Sequence, residues 1–303
     1  MTAFSIVIPA KNESSSIGRV VESLVSLYPE TEIIVVDDGS TDSTAQIAGD
    51  CGAVVISHPY SMGNGAAIKT GARKATCDVI VFMDGDGQHS PQDVERLVDQ
   101  INKGFDLVVG ARGQGSQASL GRGLANRFYN KLASYMTGQR VRDLTSGFRA
   151  VKATKFREFL SLLPNGFSYP TTSTMAFFRA GYAVAYVDID VAKRDGKSHI
   201  NVARDGIRFL LIIFKIGTLY SPFKLFFPLS FVGFMTGAGY YLFTYLTQGR
   251  FTNMSALLFT TAILIFLMGL VSEQITQLMY KENNPQNVND DTDNSKPSKS
   301  EEA

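Results

Sequence analysis

The sequence predicts an α/β protein with a doubly wound, mostly parallel sheet, followed by an interfacial amphipathic helix and two transmembrane helices. Short β-rich runs alternate with amphipathic segments over the first 110 residues, a pattern typical of a parallel sheet with helices on both faces. Two long uncharged runs follow beyond residue 225, and each is long enough to cross a bilayer.

The strands of the predicted sheet are short and regularly spaced. We expect them at residues 4–9, 32–37, 53–57, 78–83 and 106–110. The clearest helix between them covers residues 90–103, with Ser90 as its N-cap and Pro91 at its first helical position. Residues 111–123 are rich in Gly, Ser and Gln, which predicts a loop long enough to be functional.

The apolar runs predict a membrane hairpin. Residues 226–247 contain no charged side chain, and as a helix they would extend about 33 Å, enough to cross a bilayer core. A second uncharged run, 254–271, follows a short turn. Two buried helices of a soluble protein are the alternative, but two adjacent runs of this length favour the membrane.

Basic residues flank the hairpin and predict its orientation. Four precede the first run and one follows the second, whereas the turn holds only Arg250; the flanking residues are Arg204, Arg208, Lys215, Lys224 and Lys281. This distribution predicts that both termini and the α/β domain lie in the cytoplasm, at the inner membrane. Residues 201–219 are mostly apolar with a narrow basic stripe, which suits a helix on the membrane surface, although a helix buried in the domain is the alternative.

Composition excludes several classes of protein. A net charge of +1 with 45% apolar residues argues against a disordered chain and against a nucleic-acid partner. Two cysteines exclude a disulfide framework. Residues 281–303 hold three Lys against six Asp or Glu, which predicts a disordered acidic tail. The expected domains are therefore 1–200 (a cytoplasmic α/β domain), 201–224 (a juxtamembrane amphipathic segment), 225–280 (the transmembrane hairpin) and 281–303 (the tail).

Polar side chains cluster after three of the predicted strands. Asn12 and Glu13 follow the first strand, Asp37 and Asp38 end the second, and Asp84 and Asp86 follow the fourth. In a doubly wound sheet, ligands bind beyond the carboxyl ends of the strands. A D-x-D pair there suits Mg²⁺ or Mn²⁺, because these ions prefer oxygen ligands and complete their shell with substrate phosphates. Each turn taken alone is an ordinary loop sequence.

Several motifs closely resemble family 2 glycosyltransferases of the GT-A fold. In order they are FSIVIPAKNE, IIVVDDGSTDST, GNGAAIKTG and VIVFMDGDGQHSP, continued by DLVVGAR, DLTSGFRAVK and KRDGKS. Together with the paired spans they are similar to the polyprenyl-phosphate branch, which includes dolichyl-phosphate mannose synthase-like and undecaprenyl-phosphate sugar transferase-like enzymes. The resemblance covers about residues 3–280.

The resemblance implies roles for individual residues. The nucleoside pocket would be lined by Pro9, Ala10, Asn12, Glu13, Asp37 and Asp38. Asp84, Asp86 and Gln88 would hold the metal on the donor diphosphate. The acceptor phosphate would be bound by Arg112 and Arg122, with Arg127 a weaker candidate and Ser146 nearby; Arg194 and Lys197 would grip phosphates before the surface helix. Members often read G-x-S-K where this chain has Gly196-Lys197-Ser198-His199, so either Lys197 or His199 would replace that lysine.

The resemblance implies an inverting, metal-dependent transfer of a hexose from a nucleotide-diphospho-sugar of the GDP-mannose or UDP-glucose type to undecaprenyl or dolichyl phosphate. A lipid phosphate is already ionised near pH 7, so no side-chain base is required. Three alternatives stay open: a processive polysaccharide synthase, although the chain has no Trp for the Gln-x-x-Arg-Trp motif common in such enzymes; a transferase acting on a protein or soluble glycan; and a non-catalytic assembly partner. Small residues in the spans allow a homo-oligomer.

Overall fold

The computed structural model describes residues 3–112, 120–166, 168–191, 218 and 220–282, without the side chains of 120–126 and 280–282. The chain divides into two compact units, Met1–Ile200 and Asn201–Ala303. The predicted surface helix and acidic tail lie almost wholly outside the described residues. The division into four parts therefore stays a prediction.

The first unit is built on one seven-stranded sheet with the strand order β3-β2-β1-β4-β6-β5-β7. Its strands are β1 (Phe4–Ala10), β2 (Glu32–Asp37), β3 (Val54–Ser57), β4 (Val79–Phe82), β5 (Leu107–Arg112), β6 (Arg149–Lys152) and β7 (Val184–Ile189). The helices are α1 (Ile17–Leu27), α2 (Thr44–Asp50), α3 (Asn64–Lys74), α4 (Asp93–Asn102), α5 (Leu120–Thr137), α6 (Ala153–Arg157) and α7 (Tyr169–Arg179). The mostly parallel doubly wound sheet is confirmed.

The core lies where amphipathic helices cover apolar strands. All four residues of β4 are buried, as expected for a central parallel strand covered on both faces. Helix α1 buries residues spaced one helical turn apart against the sheet, namely Ile17, Val20, Val21 and Leu24. Helix α3 approaches β1 so closely that a Cβ on Gly71 would lie 2.2 Å from Val7 Cγ1, so no larger residue fits there.

Strand β6 is antiparallel to both of its neighbours, β4 and β5. An antiparallel strand begins at the edge where its parallel neighbours end. The residues that precede β6 therefore lie beside the carboxyl ends of β4 and β5, as shown by the Gly110 N–H, which donates to Phe148 O over 2.9 Å. The strand predictions covered β1 to β5 within two residues at each end, but they did not include β6 or β7.

Two local predictions were wrong. The fourth helix begins at Asp93 after Gln92, and the Ser90 hydroxyl donates to Gln92 Oε1 instead of capping the helix. The predicted loop 111–123 is shorter at both ends, because β5 continues to Arg112 and α5 begins at Leu120. The intervening residues 113–119 lie outside the described part of the chain.

The second unit contains two long helices, α8 (Pro222–Gln248) and α9 (Asn253–Glu282). They run antiparallel: Gly237 packs on Leu258 and Phe259, and Gly233 packs on Ala262. Each has the length and composition to cross a membrane, with mean hydropathies of 1.3 and 2.4 and only 17% of the apolar window buried. The predicted hairpin of candidate membrane spans is confirmed. Its turn follows Gly249, whose φ of 64° is the left-handed conformation typical of a glycine helix end.

Candidate active site

Asn12 joins the loop after β1 to the loop after β2. Its φ of 54° is the only positive value for a non-glycine residue in the described part of the chain, and Asn tolerates this conformation better than most side chains. The Asn12 N–H donates to Ser40 Oγ, and the Thr41 N–H donates to Asn12 Oδ1, both over 2.9 Å. The side chains expected at these two strand ends are therefore brought together.

The loop after β1 also contacts the turn after β4. The Ser16 hydroxyl donates to Gly85 O over 2.9 Å and lies 3.2 Å from Glu13 Oε2. Gly85 separates Asp84 from Asp86. Pro9 and Ala10 form the last two residues of β1, at the same sheet edge. The residues predicted to bind the nucleoside and the metal thus belong to connected loops.

The Asp38 carboxylate holds the segment that leads into α3. It accepts four hydrogen bonds of 2.8 Å, from His58 Nδ1, Ser61 Oγ and the backbone N–H groups of Met62 and Gly63. Burial raises the pKa of Asp38, but these hydrogen bonds outweigh burial and hold the pKa below its ordinary value. Asp38 therefore anchors the loop that leads to Gly63.

Two further contacts complete this network. The neighbouring Asp37 is buried, and its Oδ1 accepts the Ser40 N–H over 3.1 Å. Lys11 Nζ donates to Ser61 Oγ over 2.7 Å, and the Ser61 hydroxyl in turn donates to Asp38. The exposed Lys11 ammonium is thus connected to the buried carboxylate through one hydroxyl.

Asp84 lies where β4 ends and β6 is about to begin. A Cβ placed on Gly147 would be 2.8 Å from Asp84 Oδ2, so the carboxylate packs directly on the Gly147 backbone. His89 Nε2 lies 3.5 Å from the same oxygen, and the buried His89 ring stacks on Phe148 with centroids 5.0 Å apart. Asp84 itself keeps 38% of its side chain exposed, so it faces an accessible part of the site.

The metal site was predicted at Asp84, Asp86 and Gln88. Asp86 Oδ1 accepts the Gln88 N–H over 3.1 Å, which closes a tight turn. No group of three or more His, Cys, Asp or Glu side chains is placed to hold a metal among residues the structure describes. Two carboxylates and an amide still fit Mg²⁺ or Mn²⁺, because such ions often take only one or two protein carboxylates when a diphosphate supplies the other oxygens.

Arg112 is fixed by a two-pronged ion pair. Its Nε donates to Asp143 Oδ2 over 2.8 Å, and its Nη2 donates to Asp143 Oδ1 over 3.0 Å and to Thr145 Oγ1 over 2.6 Å. Burial lowers the pKa of Arg112, but Asp143 outweighs burial and raises it. Nη1 donates to no side chain or backbone group among the described residues, so it is available to an anion.

A polar cluster is buried beneath this pair. Ser146 is 1% exposed and Arg149 is fully buried. Arg149 Nη1 donates to Pro170 O and Ser173 Oγ over 2.9 and 2.7 Å, and Nη2 donates to Ser146 O. Burial lowers the pKa of Arg149. Within the described structure, Ser146 Oγ and Arg149 Nε have no hydrogen-bond partner.

Several predicted phosphate-binding residues lie outside the described part of the chain. Arg194, Lys197 and His199 fall there, and so does the side chain of Arg122, although its backbone belongs to α5. Arg127 is described and exposed on the same helix. Their assignment to the acceptor phosphate stays a prediction.

Four residues that organise the site were not predicted from the sequence: His58, His89, Asp143 and Arg149. Asp143 and Arg149 lie within the DLTSGFRAVK motif, so the motif could have singled them out. His58 lies in none of the motifs, and its contact with Asp38, 20 residues away in sequence, forms only in the folded protein.

Two protein-family models match the chain, one in each unit. The model of glycosyl transferase family 2 matches residues 5–160, and the model of the GtrB C-terminal hairpin matches residues 221–278. The first match includes the strand ends described above. The second covers nearly all of α8 and α9.

Individual relatives extend over most of the chain. The glycosyltransferase AglJ of Haloferax volcanii is 27% identical over 295 residues, covering 91% of this chain and 94% of the relative. An undecaprenyl-phosphate 4-deoxy-4-formamido-L-arabinose transferase of Pseudomonas fluorescens is 30% identical over 258 residues, 78% of this chain and 70% of that protein. The polyprenol monophosphomannose synthase of Mycolicibacterium smegmatis is 29% identical over 205 residues, 63% and 77% respectively.

Solved structures share the architecture of the first unit. Glucosyl-3-phosphoglycerate synthase from Mycobacterium tuberculosis, in complex with Mn²⁺, UDP and glucosyl-3-phosphoglycerate, is 27% identical with a TM-score of 0.55, covering 70% of this chain and 80% of that one. The same enzyme with Mg²⁺ and UDP is 28% identical with a TM-score of 0.56, covering 70% and 79%.

Proposed function

The chain belongs to glycosyl transferase family 2, and on this basis we propose that it transfers a hexose from a nucleotide-diphospho-sugar to a polyprenyl phosphate at the cytoplasmic face of a membrane. The observation that carries the proposal is that one chain contains both the Asp84–Asp86 turn and a C-terminal hairpin of two candidate membrane spans. A transferase with a soluble acceptor does not need such a hairpin.

The donor diphosphate would bind at the carboxyl edge of the sheet. Asp84, Asp86 and Gln88 would hold Mg²⁺ or Mn²⁺, which supplies positive charge to the departing nucleoside diphosphate when it is bound. Pro9, Ala10, Asn12, Glu13 and Asp37 would line the nucleoside pocket. Asp38 would act through the loop that it anchors, because its carboxylate is already engaged by four donors within the protein.

Arg112 would bind the acceptor phosphate. Two phosphate groups repel each other, and a pair of unit charges 4 Å apart costs about 4 kcal/mol at an effective dielectric constant near 20. The Arg112 guanidinium would offset this repulsion, and Asp143 fixes the direction in which its Nη1 donors point. Because a phosphate oxygen is already ionised, catalysis would consist of positioning and charge stabilisation, with direct displacement and inversion at the anomeric carbon.

The hairpin would anchor the enzyme beside its lipid substrate. The flanking basic residues support cytoplasmic termini, with Arg250 on the opposite side of the membrane. This arrangement would keep the catalytic domain on the same side as the nucleotide sugar. A polyprenyl phosphate carries its phosphate in the headgroup layer, where a membrane-tethered domain can reach it.

Sugar transfer into a lipid-extractable product tests this proposal. Purified full-length protein in detergent is incubated with Mn²⁺, undecaprenyl phosphate and a panel of radiolabelled UDP- and GDP-sugars. We expect one donor to give labelled lipid that disappears with EDTA and in Asp86→Ala. An absence of labelled lipid with every donor, or a product formed equally well by Asp86→Ala, would contradict it.

A further inference from the structure

A long basic stretch surrounds helix α5. Between Leu107 and Arg142 the chain contains no Asp or Glu. The same stretch contains six cations: Arg112, Arg122, Arg127, Lys131, Arg140 and Arg142. The proposed function uses Arg112 for the acceptor phosphate, and the sequence predicts the same role for Arg122 and, as a weaker candidate, Arg127. Arg142 forms an ion pair with Asp188. No role has been given to Lys131 or to the aromatic side chains of the helix.

Helix α5 has two faces of different character. Its inner face buries Tyr129, Ala133 and Met136. Its outer face consists of Arg127, Phe128, Lys131 and Tyr135, all exposed. At 100° per residue, Phe128, Lys131 and Tyr135 lie within about 60° of one another around the helix axis. They form one continuous strip on the protein surface.

The outer face of α5 exposes an unusual amount of aromatic surface. Phe128 is 61% exposed and Tyr135 is 55% exposed. The other large apolar side chains exposed in the described part of the first unit, Leu27, Val54, Tyr60 and Met62, do not form a strip along one helix. Two exposed aromatic rings on one strip of the surface make this face a candidate interaction site.

We propose that the outer face of α5 docks onto the headgroup layer of an anionic membrane. Aromatic rings beside Lys and Arg suit this layer, because the rings enter the interface while the cations meet lipid phosphates. The candidate spans of the same chain bring a bilayer within reach. A second copy fits less well, because a two-fold contact would bring two like-charged faces together.

Docking would orient the Arg112–Asp143 pair toward the membrane surface. Asn130, on α5, donates from Nδ2 to Arg142 O over 2.6 Å and accepts the Leu144 N–H over 3.0 Å. These two contacts hold both neighbours of Asp143. The helix is thereby linked to the segment that carries Asp143, so the position of α5 on a bilayer would influence the position of Arg112.

Because the chain contains no Trp, a single substitution introduces a unique fluorescent probe. Full-length Phe128→Trp is reconstituted into nanodiscs that contain anionic lipid, with or without brominated acyl chains that quench Trp. Val54→Trp is the matched control, because Val54 is 57% exposed on the edge strand β3. Phe231→Trp, on α8 and 54% exposed, reports insertion of the hairpin.

We expect bromine to remove about twice as much emission from Phe128→Trp as from Val54→Trp, because an interfacial ring lies close to the acyl chains. Adding Lys131→Glu, or replacing the anionic lipid with a zwitterionic one, should reduce the difference.

Equal quenching of Phe128→Trp and Val54→Trp, with Phe231→Trp strongly quenched, overturns the docking proposal and leaves the transferase proposal intact. A blue shift of Phe128→Trp without bromine quenching indicates a protein partner and also overturns it. An unquenched Phe231→Trp contradicts the membrane insertion on which docking rests, whereas sugar transfer is measured separately in detergent.

Discussion

Asp143 holds Arg112 through two parallel hydrogen bonds, of 2.8 Å to Nε and 3.0 Å to Nη2. The carboxylate is itself fixed, since its Oδ1 also accepts the backbone N–H groups of Thr145 and Ser146. The guanidinium at the end of β5 is thereby attached to the segment that leads into β6. Its orientation is set before any substrate binds, which lowers the cost of binding a phosphate.

Arg112→Lys should impair use of the acceptor. Lysine keeps the positive charge, but its single ammonium cannot pair with Asp143 on two nitrogens and also present a third nitrogen to a phosphate. One charge-assisted hydrogen bond to the phosphate would be lost, at a cost of about 1.5–3 kcal/mol, so we expect kcat/KM for the lipid phosphate to fall by about 10- to 100-fold. Arg73→Lys, on an exposed part of α3, is the matched control and should behave as wild type. Equal acceptor kinetics in Arg112→Lys and Arg73→Lys would exclude Arg112 from the acceptor site.

Gly147→Ala should weaken metal-dependent binding of the donor. The new methyl group would lie 2.8 Å from Asp84 Oδ2, so the carboxylate must move. Gly166→Ala makes the same chemical change where no atom lies within 4 Å. We expect Mn²⁺ and a nucleotide sugar to raise the melting temperature of Gly166→Ala as in wild type, and to raise that of Gly147→Ala much less. If the two variants respond alike, Asp84 does not contribute to donor binding.

The stability of the protein should fall in acid, partly through Asp38. Hydrogen bonds hold the pKa of Asp38 below its ordinary 3.8, despite an opposing effect of burial. A carboxyl group with a lower pKa in the folded state takes up protons on unfolding, so its stabilising effect is complete above pH 3.8 and is lost as the pH falls through the folded-state pKa. Asp38→Asn should therefore unfold more easily at pH 7, by about 1–3 kcal/mol, and should show a shallower loss of stability below pH 4.

Denaturant unfolding of the detergent-solubilised protein between pH 7 and pH 3 measures this effect. Asp50→Asn, at the exposed end of α2, is the control and should change neither the stability at pH 7 nor the slope in acid. A slope for Asp38→Asn as steep as that of wild type would show that Asp38 does not provide the linkage.

The turn of the hairpin should face away from the cytoplasm. With Cys51 and Cys77 replaced by Ser, Arg250→Cys provides a single thiol in the turn after α8. A membrane-impermeant thiol reagent should label it in intact cells, whereas a cysteine at Lys281 should be labelled only after lysis. The reverse pattern of labelling would contradict the positions of the basic residues as an indicator of orientation.

Much of the fold was predictable from local patterns, but the contacts across the site were not. Composition alone predicts the apolar strands, such as Glu32–Asp37, and the two candidate spans. β6 was not predicted because it is only four residues long and forms the end of the DLTSGFRAVK motif, which we interpreted for its polar residues and not as a strand. The predicted start of α4 was wrong because the Ser90 hydroxyl donates a hydrogen bond to the Gln92 side chain and does not cap the helix. His58 and Asp143 meet their partners across 20 and 31 residues of sequence, and only the assembled sheet shows such pairs.

The identity of the acceptor tests the central claim most directly. A similar solved structure, of glucosyl-3-phosphoglycerate synthase, contains phosphoglyceric acid, a soluble phosphorylated compound, with UDP and Mn²⁺. Undecaprenyl phosphate and 3-phosphoglycerate are therefore offered together to the full-length protein with Mn²⁺ and the preferred radiolabelled nucleotide sugar. We expect the label to enter the lipid phase and to be released by mild acid as free sugar. Label found only on 3-phosphoglycerate would show that the protein is not a polyprenyl-phosphate sugar transferase.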